Sequence, residues 1–162
     1  MRFLLITFIL CWSHAAKASD TLTTIGWIET VRILPEGLEL KAKIDTGADN
    51  SSLGAIDWQN FKRNGQKWIR FKLLKNNGGT ESFERPLDRY ALIKRKQTEA
   101  LKRPVIKLWL CIGNKKLLVP VNLAKRKKFK YRILIGRSFL KRNFLVDSAK
   151  ELTQPPTCSL PQ

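Results

Sequence analysis

The chain has 162 residues, 43% of them hydrophobic and 27% charged, with 31 Lys and Arg against 13 Asp and Glu for a net charge of +18. That is a length for one ordinary domain and a composition of the globular kind, not that of a disordered chain. With this length, this composition, three cysteines and a longest apolar run, Phe3 to Trp12, of only about half a membrane span, no multi-domain enzyme, polytopic membrane protein or disulfide-dense mini-protein is expected.

Met1 to Ala18 reads MRFLLITFILCWSHAAKA: a basic start at Arg2, an apolar centre and a small-x-small end at Ala16-Lys17-Ala18. This is the layout of a secretory signal peptide, with cleavage expected after Ala18 and the product expected in the periplasm or secreted. Removing those eighteen residues, which include Arg2 and Lys17 but no acid, leaves 144 residues with a net charge of +16. His14, the only histidine, and Cys11 leave with the segment. Cys111 and Cys158 remain, compatible with one disulfide in an oxidising compartment or with two unpaired thiols. A mature chain without histidine cannot build a Ser-His-Asp or Cys-His arrangement. It has no HExxH, CxxC or GxxxxGK[ST] motif either, so no metal and no cofactor are expected. Acid–base chemistry must then come from carboxylates, or from a perturbed Lys or Tyr.

The rest reads as short alternating segments. Strands are expected over Trp27–Leu34 and over Leu38–Ile44, where Leu38, Leu40, Ala42 and Ile44 share one face and Glu39, Lys41 and Lys43 the other. Trp68–Leu74 and Thr80–Arg85 flank Asn76-Asn77-Gly78-Gly79, a hairpin signal. Tyr90–Lys94, Val105–Ile112, Lys116–Val121, Arg132–Ile135 and Phe144–Val146 complete the set, with a turn at Gly113-Asn114. Helical spacing is confined to Ile56–Arg63 and Arg137–Arg142. Eight or nine close-set strands predict an all-β fold, a small barrel or sandwich. The domain is expected to end at Asp147, with residues 148–162, which contain Pro155, Pro156 and Pro161, forming a poorly ordered tail.

The strand LELKAKI runs straight into Asp45-Thr46-Gly47-Ala48, and later Ile133-Leu134-Ile135 ends in Gly136-Arg137. Two hydrophobics before Asp-Thr-Gly-Ala, and two before Gly-Arg, are the paired signatures of retropepsin-like aspartic proteases, which IDTGADNSSL and ILIGRSFL resemble. The chain is most similar to a bacterial group often labelled "ATP-dependent zinc protease". Ala42–Ala48, Ser51-Ser52-Leu53, Trp68–Phe71, Arg103–Ile106 and Leu134–Arg137 match its pattern. That group commonly carries His before the Ala that follows SSL, where this chain has Gly54-Ala55. Its label names zinc and ATP, and this sequence offers ligands for neither. The resemblance implies a small closed β-barrel over residues 19–147 with one or two short helices.

It also implies the chemistry. Two carboxylates held about 3 Å apart share one proton; the ionised one activates a water and the protonated one polarises the peptide carbonyl. Asp45 is the candidate catalytic residue, and a turn-forming aspartate is its plain alternative. Thr46, Gly47 and Ala48 complete the loop. Asp49 would contact the substrate backbone, held by Arg137 beside Gly136; the plain alternative for Arg137 is a surface cation. One Asp-Thr-Gly per chain implies a homodimer with one Asp45 from each subunit. A flap should cover the cleft, from the turn at Lys94, Arg95, Lys96, Gln97 and Thr98 or from the Asn77-Gly78-Gly79 hairpin.

The basic run Ala124–Arg132 (AKRKKFKYR) suits anionic partners. For an exported protein these are envelope components or acidic peptides, with no nucleic acid expected. Members of the resembled group are often encoded beside glutamate-ligase-like proteins, which suggests an acidic, glutamate-rich peptide substrate. The rival reading is a non-catalytic binding domain whose basic face engages an anionic cell-envelope ligand.

Overall fold

The computed structural model describes residues 21–75, 78–95, 98–126 and 129–160, and strands make up nearly all of its regular structure. The expected signal segment lies outside the described residues. The strands are β1 (Thr23–Leu34), β2 (Leu38–Ile44), β3 (Ser51–Arg63), β4 (Gln66–Leu74) and β5 (Thr80–Pro86). They continue with β6 (Arg89–Arg95), β7 (Thr98–Ile112), β8 (Lys115–Ala124), β9 (Ile133–Ile135) and β10 (Phe144–Glu151), and one helix, α1 (Arg137–Leu140), stands between β9 and β10. In β2 the expected alternation holds: Leu40, Ala42 and Ile44 are buried while Glu39, Lys41 and Lys43 are exposed.

Six strands close a barrel in the order β1-β2-β9-β3-β8-β7, and β7 returns to β1 through Arg32 with Cys111, Ile33 with Leu110 and Leu34 with Trp109. Closure leaves no free edge within the ring. Its interior is filled by Val31, Ile33, Leu40, Ala42, Leu53, Ile106, Leu108, Leu110, Val121, Leu123, Ile133 and Ile135, each 1% exposed or less. The fold is an all-β small barrel, as the pattern predicts.

Three expectations are corrected. Ile56–Arg63 is not helical but the outer half of β3, paired antiparallel with β4 from Ala55–Leu73 to Arg63–Gln66. Asn64 and Gly65, both at positive φ (49° and 76°), make the tight two-residue turn that joins the strands. A register shift between Ile56 and Gln59, with Asp57 at φ 49°, breaks the alternation there and gives the segment its helix-like spacing. The β4–β5 hairpin projects from the barrel, with Phe71 stacked on Phe83 at 5.6 Å and Glu84 bridging Arg63 and Arg70.

Nor do residues 148–160 form a loose tail. Strand β10 runs parallel to β1 and continues to Glu151, and the chain beyond it is strapped across the barrel. The buried carboxylate of Glu29 accepts hydrogen bonds from the Gly26 N–H, the Thr153 N–H and hydroxyl, and the Gln154 N–H. Cys158 is disulfide-bonded to Cys111, Thr157 donates to the Gly113 carbonyl, and Pro156 is buried. A Cβ on Gly26 would fall 2.2 Å from the Lys150 carbonyl oxygen, so this glycine lets the strap lie against β1. The domain therefore runs past Asp147. Helix α1 is one turn, shorter than the expected Arg137–Arg142, and the chain turns away at Arg142, at φ 65°.

Candidate active site

Strand β9 lies between β2, to which it is parallel (Ala42–Ile133 to Ile44–Ile135), and β3, to which it is antiparallel (Ser52–Leu134, Leu53–Ile133). The loop joining β2 to β3, residues 45–50, must therefore straddle the end of β9, and Gly136-Arg137 emerges beneath it. Glycine is required at 136 by space: its backbone is extended, but a Cβ would sit 2.6 Å from the Asn50 carbonyl carbon and 2.9 Å from the Ala48 oxygen.

That close approach builds a dense set of bonds. The Asp45 N–H donates to the Ile135 carbonyl (2.8 Å), the Arg137 N–H to the Ala48 carbonyl (2.9 Å) and the Ser138 N–H to the Asp49 carbonyl (2.9 Å). The Gly136 N–H donates to the buried Ser51 hydroxyl at 3.1 Å, and the Asn122 side chain donates to the Ser51 carbonyl at 2.9 Å. Arg137 donates to the Thr46 carbonyl at 2.8 Å and pairs with the Asp49 carboxylate. The Arg137 side chain is half exposed and is tied to the loop by these two bonds. Within the loop, Asp45 Oδ1 accepts the Gly47 N–H at 3.2 Å. Asp45 is partly buried, while Thr46 and Gly47 are exposed.

Two cavities flank the loop. The larger, about 400 Å³, lies between Ala48, Asp49 and Asn50 on one side and the β6–β7 hairpin (Arg89, Ala91, Leu92, Ile93, Arg103 and Val105) on the other, with Asn122 and Arg126 at its end. The smaller, about 260 Å³, holds Asp45 with Trp27, Lys43, Arg126, Phe129, Lys130 and Tyr131. Of the two flap candidates, the β6–β7 hairpin borders the cleft; the β4–β5 hairpin, which carries Gly78 and Gly79, lines neither cavity. Lys96 and Gln97, with the side chains of Lys94, Arg95 and Thr98, lie outside the described residues.

The sequence reading gave no individual site role to Arg103, Asn122, Phe129, Tyr131 and above all Arg126. Burial holds the Arg126 guanidinium below its ordinary pKa; repulsion from Arg103 adds to this and attraction from Asp45 opposes it. The one available signal was the basic run itself, which does not say which of its cations faces inward. Gly54, the departure from the resembled pattern, has a steric reason. A Cβ there would lie 2.8 Å from the Arg126 Cβ and 3.0 Å from the Arg132 carbonyl oxygen.

A family model described as RimB-like, retropepsin-like aspartic endopeptidase RimB, matches residues 24–157. The chain belongs to this family. Among curated proteins, a probable alpha-L-glutamate ligase of Shewanella pealeana is 32% identical over 115 residues, covering 68% of this chain and 25% of that relative. One of Desulfotalea psychrophila is 28% identical over 113 residues, covering 68% and 24%. The chain thus spans about a quarter of the length of the curated relatives it matches. A crystal structure of a Legionella pneumophila protein of unknown function superposes with a TM-score of 0.72 at 32% identity, covering 82% of this chain and 98% of that one. The retropepsin-like resemblance of the motifs is therefore a family relationship that includes the strapped C-terminal segment as far as Thr157.

Proposed function

We propose that this chain is an exported aspartic endopeptidase that works as a homodimer, with one Asp45 from each subunit forming the catalytic pair. The observation that carries the reading is the Asp45–Gly47 loop, braced from behind by Gly136 and Arg137 while Thr46 and Gly47 remain exposed. A second loop meeting it across a twofold axis would bring the two carboxylates together. Like charges at that distance share one proton, so one carboxylate takes a proton from the attacking water while the other polarises the scissile carbonyl. The β6–β7 hairpin serves as the flap, closing on the peptide from the far side of the larger cavity.

The substrate is an acidic peptide. Arg89, Arg103 and Arg126 line the larger cavity, and its one described acid, Asp49, is already paired with Arg137. The relatives' names, probable alpha-L-glutamate ligase, associate the family's domain with glutamate chemistry. The same three arginines favour a second reading, an anion-binding domain of the cell envelope that does not cut.

The deciding experiment exposes a diverse peptide library to the purified mature chain between about pH 4 and pH 7, with Asp45→Asn run alongside and products read by mass spectrometry. Cleavage by the wild type alone supports the peptidase. Cleavage by neither, with peptides still bound, favours the binding domain; cleavage by both removes Asp45 from the chemistry.

A further inference from the structure

Arg126 and Leu134 are the two residues common to both cavities at the loop, and Arg126 is the charged one. Described residues of its own segment hold it. The Arg126 carbonyl accepts the Phe129 N–H and an Arg132 side-chain N–H, both at 3.0 Å. Its Nε donates to the Tyr131 carbonyl at 3.3 Å, and its guanidinium lies 4.5 Å from the centre of the Phe129 ring. Two bonds hold its backbone carbonyl, while one bond from Nε and one ring hold a side chain that, in a basic surface loop, would ordinarily extend into water.

What admits it is Gly54. This residue is buried in β3, beside Ala124 of β8, and its backbone lies outside the left-handed region, so its conformation does not demand glycine. The space does: Arg126 and the Arg132 carbonyl stand where a Cβ would project, and the Gly54 N–H donates to that same carbonyl at 2.6 Å. Across the larger cavity Arg103 is held in turn, donating to the side-chain oxygen of Asn122 at 3.3 Å. Two guanidiniums placed this way, one partly stripped of water, form a site that an incoming carboxylate would neutralise through charge-assisted bonds.

We propose that Arg126, seated by Gly54, is a specificity-determining residue that receives the side-chain carboxylate of a substrate residue next to the scissile bond. This rests on the peptidase reading for its place in catalysis, but not for its binding chemistry. The seat also sets the geometry: a planar fork anchored at Nε presents a fixed edge, so a guanidinium is required and a lysine ammonium is a partial substitute.

The test has two arms. In the first, peptides differing only by Glu, Gln or Lys at each position around the cleavage site are compared by kcat/KM. The wild type should prefer Glu over Gln by about 10- to 100-fold at one position. Arg126→Gln should reduce that ratio to within about threefold, Arg126→Lys should restore part of it, and Arg126→Glu should shift the preference toward Lys. Gly54→Ala, which keeps the arginine but displaces it, should also reduce the ratio. In the second arm, a fluorescent triglutamate peptide is titrated at low salt into the non-cleaving Asp45→Asn chain, with and without Arg126→Gln. Binding should weaken by about tenfold or more. An unchanged Glu preference, or an equal loss on Glu and Gln peptides, overturns the proposal, as does unchanged binding in the second arm. If no peptide is cut but triglutamate binding depends on Arg126, the anion site stands and the peptidase reading falls.

Discussion

Gly136→Ala separates the fold's need for this glycine from the site's. The new methyl would lie 2.6 Å and 2.7 Å from the Asn50 carbonyl carbon and oxygen, and 2.9 Å from the Ala48 oxygen. All three are backbone atoms of the braced loop, so no flexible side chain can yield. Overpacking of this kind costs about 1–3 kcal/mol, and weakening the Gly136-to-Ser51 bond adds about 1 kcal/mol. We expect a loss of about 2–4 kcal/mol, seen as a fall in Tm of roughly 5–15 °C by calorimetry, together with loss of peptide cleavage. Gly47→Ala is the contrast. Its Cβ would meet only Asp45 Oδ1, at 3.3 Å, and no positive φ is involved. Stability should stay within about 1 kcal/mol, while the displaced carboxylate lowers cleavage by about tenfold or more. The reasoning is refuted if Gly136→Ala melts with the wild type, or if the two variants lose equal stability.

Glu29→Ala removes the acceptor of four hydrogen bonds and should cost about 3–5 kcal/mol, measured as a lower urea midpoint with faster proteolysis of residues 152–157; an unchanged midpoint would show that the strap is held without it. Hydrogen bonds from Arg70 and then Arg63 hold the partly exposed Glu84 carboxyl below its ordinary pKa. A group whose pKa is lowered by folding adds stability that is complete above the unfolded glutamate value, about 4.3, and is lost as pH falls through the folded one. Melting curves from about pH 6 to pH 3 should therefore show a shallower acid-side decline for Glu84→Gln than for the wild type; identical slopes would deny the linkage.

What was legible in the sequence was whatever the local period carries. In β2, alternating Leu and Lys residues state both the strand and its buried face, and the strand's abrupt arrival at Asp45-Thr46-Gly47 marks the loop. The Gly136-Arg137 partner was legible because it too ends an apolar strand. The outer half of β3 was not, because an irregularity between Ile56 and Gln59 shifts the alternation. The strap was hidden for another reason. A segment rich in Pro, Ser and Thr looks loose locally, and its anchors, Glu29 and Cys111, lie 124 and 47 residues away. Arg126 was invisible among its basic neighbours since its inward seat depends on a space left by Gly54, on a strand more than seventy residues earlier in the chain.

If two copies of Asp45 make one active site, mixing subunits will reveal it. Wild-type and Asp45→Asn chains are combined in varying proportion, allowed to exchange, and assayed on a cleaved peptide at constant total protein. If a site needs both carboxylates, activity falls as the square of the wild-type fraction. Activity that falls in direct proportion to that fraction, or that persists in Asp45→Asn alone, would mean that the two carboxylates do not share one site.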